Sequence, residues 1–127
     1  MARSWKTAVA IAAATAAGVV LVAAPASAGA LPRNCPSGYL CLYPDSGYRG
    51  TPYRVHWRVV KNSCLTVAPS INNRTSSAWN RTGEVQMFYN LSACRRSFLF
   101  PMNPGEARDR LGSSINDKVT SVFGRLR

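Results

Sequence analysis

The sequence predicts an all-β domain of short antiparallel strands, arranged as a sandwich or a barrel, and three observations carry that prediction. The first is a repeated string. Asn72-Asn73-Arg74-Thr75-Ser76-Ser77 returns as Asn116-Asp117-Lys118-Val119-Thr120-Ser121, 44 residues further on. Paired Asx residues followed by paired hydroxyls supply hard oxygens and backbone turns, and a repeat at fixed phase implies two copies of one supersecondary unit. The second observation is a series of short apolar or alternating runs bounded by Pro, Gly, Asx and Ser. The third is four cysteines in a short chain that opens on an export signal, the usage of a small disulfide-stapled domain.

The elements follow in order. Arg3 and Lys6 form a positive n-region, residues 7–24 are almost unbroken Ala, Val, Ile and Leu, and Pro25 precedes the small-residue site Ala26-Ser27-Ala28. Residues 1–28 therefore read as a secretory signal peptide, which makes the protein secreted and extracellular, with Gly29 as the mature N-terminus. No other stretch approaches spanning length, so no stable membrane insertion is expected after cleavage. Residues 29–34 are a short tail, and 35–127 are one domain that divides near residue 82 into halves of 35–82 and 83–127. So small a domain buries only about two-thirds of its extended-chain surface. Its cysteines are expected to compensate.

Cys35 and Cys41 flank the turn sequence Pro36-Ser37-Gly38, so that ring closes easily, and Cys64 is left to pair with Cys94 across the two halves. Loop-closure entropy assigns the two bonds roughly 2.3 and 3.7 kcal/mol. Residues 39–43 form an apolar strand ending at Pro44-Asp45-Ser46-Gly47, which is turn chemistry. Residues 53–59 alternate, placing Tyr53, Val55, Trp57 and Val59 on the core and Arg54, His56 and Arg58 in water. Residues 85–89 and 98–100 are further strands, and Val119, Val122 and Phe123 close the chain on apolar packing. No helix is expected.

The halves align in detail. Tyr43 matches Tyr89, and the segment from Ser76 to Arg81 runs parallel to that from Thr120 to Arg125. The first half contains Tyr43, four residues, Tyr48, one residue, then Gly50. An aromatic, a second aromatic and a glycine at that spacing, followed by the Asx-Asx-x-x-hydroxyl-Ser string, resembles the βγ-crystallin Greek key. Two such keys imply an antiparallel Greek-key β-sandwich. In the second key Cys94 stands where the second aromatic belongs and Arg96 where glycine belongs, so that hairpin is expected to fold differently, with a disulfide through Cys94 replacing the aromatic corner. The export signal, the Cys35-Pro36-Ser37-Gly38-Tyr39-Leu40-Cys41 opening and the Arg-rich body are similar to the secreted bacterial peptidase inhibitors of the Streptomyces metalloproteinase inhibitor type.

That resemblance implies a non-enzymatic, monomeric protein whose partner is an extracellular protease, in particular a metalloendopeptidase, blocked by a rigid substrate-like loop. Two segments offer a bond followed by an apolar residue, as thermolysin-like enzymes prefer: Cys64-Leu65, favoured for its disulfide, and Ser97-Phe98. It also implies weak Ca2+ binding through the carbonyls of Arg74 and Lys118 and the hydroxyls of Ser76 and Thr120. Asn72, Asn73, Asn116 and Asp117 shape those loops, and the opposite key completes each site.

Charge and composition bound the alternatives. Without Arg3 and Lys6, 14 basic residues face 5 acidic ones, a net charge of +9, and twelve of the fourteen are Arg. Such a surface attracts anionic envelopes or acidic proteins, so a calcium-stabilised or cationic envelope-binding module, antimicrobial in one form, is the alternative function. Trp57 and Trp79 fit core positions and give that alternative no exposed aromatic platform. No nucleic-acid motif accompanies the charge, and export argues against a nucleic-acid partner. Catalysis finds no support: His56 is the only histidine, set between two arginines, and Asp45, Glu84, Glu106, Asp109 and Asp117 show no paired-carboxylate spacing.

Overall fold

In the computed structural model, residues 30–126 are described; the export signal read at 1–28, Gly29 and Arg127 lie outside them. Eight strands, one α-helical turn and one 3-10 turn follow in order among the described residues: β1 (Tyr39–Tyr43), β2 (Tyr53–His56), α1 (Trp57–Val60), β3 (Cys64–Thr66), β4 (Ser77–Asn80), β5 (Val85–Tyr89), the 3-10 turn (Ser92–Cys94), β6 (Phe98–Met102), β7 (Ala107–Arg108) and β8 (Ser121–Arg125). They build two four-stranded sheets, ordered β2-β1-β4-β7 and β3-β8-β5-β6, in which every pairing is antiparallel. Each run of four consecutive strands places its first, second and fourth in one sheet and its third in the other. Neither half can close its sheet without a strand from its partner, so the two Greek keys form one cooperative unit.

Alternation along each strand assigns the faces. Leu40 and Leu42 of β1, Val55 of β2, Phe88 of β5, Phe100 and Met102 of β6 and Val122 of β8 point between the sheets and are buried together with Val60 and Val119. Phe88 stacks on Phe100 with ring centroids 4.6 Å apart. Each of these large side chains contributes about 1.5–3 kcal/mol through burial. The junction between the keys is tied by the buried Asn80, whose side-chain amide donates to the carbonyls of Glu84, Met102 and Asn103 at 2.8–3.1 Å. Both disulfides pair as the spacing predicts, Cys35 with Cys41 and Cys64 with Cys94.

The first sheet has a second, smaller apolar layer on its outer face. Cys35, Cys41, Tyr43 and Tyr48 are buried there, with Tyr39, Trp79 and Ala107 packed against them. The Tyr43 hydroxyl donates to Asn34 Oδ1 at 2.8 Å, and burial pushes its pKa above the ordinary tyrosine value.

One expected strand is cut short. The alternation over residues 53–59 predicts a single strand with Trp57 and Val59 on the core, but β2 ends at His56 and α1 takes its place. The His56 ring nitrogen Nδ1 accepts from the Arg58 amide at 3.3 Å, and the Trp57 amide donates to Gly38 O at 3.0 Å, so the chain is capped into a helical turn. The consequence is a one-residue change of phase: Val59 is 51% exposed and Val60 is fully buried. His56, expected in water, is half-buried, with its ring edge-on to Tyr39 at 5.0 Å. Trp57 and Trp79 are half-buried, with Arg58 and Lys61 each 5.4 Å from the Trp57 ring centroid and Arg81 4.7 Å from that of Trp79.

Candidate functional site

The hairpin between β5 and β6 departs most from its counterpart in the other key, and it carries the candidate site. In the first key, Gly47 and Tyr48 take left-handed conformations, with φ of 70° and 59°. The equivalent residues of the second key, Ala93 and Cys94, take the same pair, with φ of 71° and 50°. A serine fastens each turn at the same place: Ser77 Oγ donates to Asp45 O at 2.6 Å, and Ser121 Oγ donates to Leu91 O. The second hairpin therefore keeps the folded-back geometry of the first, contrary to the expectation from Arg96.

The difference lies one residue further on. Gly50 closes the first hairpin with φ of 86°, and the corresponding left-handed residue in the second is Ser97, with φ of 57°, rather than Arg96. The added residue lets a non-glycine occupy the position. The aromatic corner is kept as well: Tyr43 meets Tyr48 edge-on at 5.6 Å, and Tyr89 meets Phe98 edge-on at 5.6 Å. Phe98 thus supplies the second aromatic, and Cys94 is free to bond Cys64 on β3.

These constraints hold residues 91–98, which contain the 3-10 turn Ser92–Cys94 packed against β3, β8 and β5 and end on the first residue of β6, as a largely exposed loop. It is tied by the Ser121 bond at Leu91, by the disulfide at Cys94, and by the Asn90 amide donating to Ser97 O at 2.9 Å. Leu91 and Phe98 remain about half exposed, at 49% and 50%, and Arg95, Arg96 and Ser97 face solvent. Sequence reasoning reached Ser97 and Phe98 and missed Leu91, Arg95 and Arg96. The available signal was an isolated apolar residue between Asn90 and Ser92, then two arginines beside a cysteine.

Cys64-Leu65, the bond favoured from sequence, lies in a different environment. Cys64 is exposed, but Leu65 pairs with Val122 of β8 and its side chain packs against the main core. A protease would have to unpair β3 and extract a half-buried leucine to place it in a subsite.

The two Asx loops meet at one end of the sandwich, where the keys bond each other reciprocally. The Asn73 amide donates to Val119 O and the Asp117 amide to Thr75 O, both at 3.0 Å. Asn73 and Asp117 hold matching left-handed backbones, with φ of 55° and 57°. Ser76 Oγ donates to Asp117 Oδ1 at 3.2 Å, and Thr120 Oγ1 lies 3.0 Å from Asn72 Oδ1 and 3.2 Å from Asn73 Oδ1. Each hydroxyl therefore faces the Asx residues of the opposite key. The Arg74 and Lys118 side chains are exposed beside them. The oxygens brought together are amide, hydroxyl and carboxylate, a donor set that fits calcium. Among the described residues no cluster of three or more His, Cys, Asp and Glu side chains forms a metal site.

Against models of known families, residues 28–98 match peptidase inhibitor family I36. No curated protein matches the sequence significantly. Several solved structures are similar. One, from work on the evolution of the eye-lens βγ-crystallin domain fold, is 14% identical with a TM-score of 0.60, over 74% of this chain and 92% of the other. A βγ-crystallin domain from Clostridium beijerinckii is 17% identical with a TM-score of 0.53, over 68% and 95%. A βγ-crystallin from an archaeon is 12% identical with a TM-score of 0.54, over 70% and 99%. At these identities the likeness concerns the fold.

Proposed function

The chain belongs to peptidase inhibitor family I36 and is thus a non-enzymatic protein whose partner is a peptidase; we propose that it is exported and blocks an extracellular metalloendopeptidase, with residues 91–98 as a rigid, substrate-like decoy. The observation that carries this reading is the fastening of the loop at three points while Leu91 and Phe98 stay half exposed. A substrate loses backbone and side-chain freedom when it enters a cleft, and a loop already ordered avoids most of that cost. The reactive bond on this reading is Ser97-Phe98, which leaves the exposed phenylalanine on the carboxyl side of the bond. The packing of Leu65 against the core argues against Cys64-Leu65.

The test is titration of the oxidised protein, purified without residues 1–28, against metallo-, serine and cysteine endopeptidases. Stoichiometric inhibition of a zinc enzyme is expected. Phe98→Asp places a charge in an apolar subsite and should weaken that inhibition at least about 100-fold, or about 2.8 kcal/mol, while Phe98→Leu, which also loses the edge-on contact with Tyr89, should lower the melting temperature and keep most of the inhibition. A folded protein that slows no metalloendopeptidase at micromolar concentration would sink the metallo reading. Loss of inhibition through Leu65→Asp but not Phe98→Asp, in a Leu65→Asp protein whose melting shows it still folded despite the lost core contact, would move the bond to β3.

Calcium enters as a weak structural ligand, a reading favoured by the contacts between hydroxyls and Asx side chains across the keys. The Arg74 carbonyl and Ser76, completed by Asp117 of the opposite key, would hold one ion, and the Lys118 carbonyl and Thr120, completed by Asn72 or Asn73, a second. Its contribution would be to bridge the two keys; the two adjacent cationic side chains would keep its affinity low.

A further inference from the structure

The outer faces of the two sheets are equivalent in the repeat and unequal in cover. On the first sheet Cys41 lies opposite Trp79, and Cys41 is fully buried beneath the disulfide-bonded Cys35 arm. On the second sheet the same repeat positions are Met87 and Phe123, also directly opposite one another. Both are half-buried; the turn Ser92–Cys94 packs beside them against β3, β8 and β5, bonded to Cys64, and it is the cover this face has in place of the Cys35 arm. Register extends the apolar row in both directions: Phe123 lies opposite Cys64 on β3, and Met87 lies opposite Pro101 on β6, both exposed. Four neighbouring strands thus present Cys64, Phe123, Met87 and Pro101 in a line across one face.

We propose that this face is a second contact surface for the inhibited peptidase, engaging the enzyme's body beside its cleft while residues 91–98 occupy the cleft itself. The proposal rests on the inhibitor reading above. Continuity selects this occupant, because the row begins at Cys64, which is bonded to Cys94 at the centre of the loop. Phe98 belongs to both regions, closing the loop and meeting Tyr89 on the same face of the sheet. Size gives the second argument. A stable complex buries about 800 Å² on each partner, contributed by roughly 20–30 residues a side, so residues adjoining an eight-residue loop are expected to take part. Charge gives the third: Arg95 and Arg96 border the row at the loop, and Arg125 borders it at the far end of β8. The peptidase surface that fits is apolar at its centre, with carboxylates at its rim.

The experiment compares Met87→Asp and Pro101→Asp with the parent protein by inhibition constant, thermal melting and sedimentation. Each is expected to weaken inhibition more than tenfold while leaving the protein monomeric. If Met87→Asp unfolds the domain, the exposed Pro101→Asp carries the test alone. A parent protein that inhibits but shows no loss in the folded variants overturns the proposal and leaves the inhibitor reading standing. Self-association of the parent that both variants abolish, without a change in inhibition, assigns the face to a second copy and also overturns it. A parent protein that inhibits no peptidase overturns the inhibitor reading, and the proposal falls with it.

Discussion

Left-handed residues decide how each hairpin closes, and their side chains determine what that closure costs. Gly50 has a φ of 86°, and a β-carbon built there would lie 2.4 Å from Pro44 Cγ, so sterics and conformation both demand glycine. Gly50→Ala should therefore cost about 2 kcal/mol or more. Ala93 holds a φ of 71° without being glycine, which stores strain in the candidate loop. Ala93→Gly should relieve it and stabilise the protein by roughly 0.5–1 kcal/mol, the strain relieved exceeding the added freedom of the unfolded chain. Urea unfolding measures both. A stabilising Gly50→Ala or a destabilising Ala93→Gly would refute this account of the two turns.

At the level of elements, the two disulfides serve different purposes. Cys35–Cys41 lies buried on the outer face of the first sheet and supports its packing. Cys64–Cys94 joins an edge strand to the centre of the candidate loop, with Cys64 in solvent. Replacing Cys64 and Cys94 together with serine should weaken inhibition at least about tenfold, because the loop must then be ordered on binding. Replacing Cys35 and Cys41 should lower the melting temperature and leave inhibition intact in whatever fraction stays folded. Melting and inhibition measured on both pairs separate the two roles, and an equal loss of inhibition would show that the loop does not depend on its own bond.

The whole molecule is a pseudo-symmetric pair of keys, and its cohesion rests on what crosses between them. The exchange of β3 and β7, the reciprocal amide bonds at Asn73 and Asp117, and the Ser76 and Thr120 side-chain contacts all join one key to the other. A ligand at the Asx loops would stabilise the folded state by mass action. At ten times a millimolar Kd that amounts to about 1.4 kcal/mol, or roughly 5–10 °C in Tm for a domain of this size. Ser76→Ala and Thr120→Ala should each reduce the rise. Melting curves that coincide with and without 10 mM calcium would leave the two strings as turns.

Family resemblance indicated the type of partner, and the sequence by itself determined the class of fold, the repeat and both disulfide pairings. These are local or periodic properties: the strings recur 44 residues apart, β1 and β5 carry their own apolar patterns, and Pro36-Ser37-Gly38 closes the small ring without outside help. The tertiary structure alone decided which apolar residues face water. The run over residues 53–59 alternates well, yet a cap from His56 and a bond to Gly38 turn it into α1 and exchange the burial of Val59 and Val60. Leu65 and Phe98 both follow a polar or small residue in the sequence, yet pairing with β8 turns Leu65 inward, while a closure one residue later leaves Phe98 at the surface. Met87 and Phe123 resemble any other core pattern until their repeat equivalents, Cys41 and Trp79, are seen to lie against the Cys35 arm. Alternation reports that a strand has two faces; which face is covered depends on segments far away in the chain.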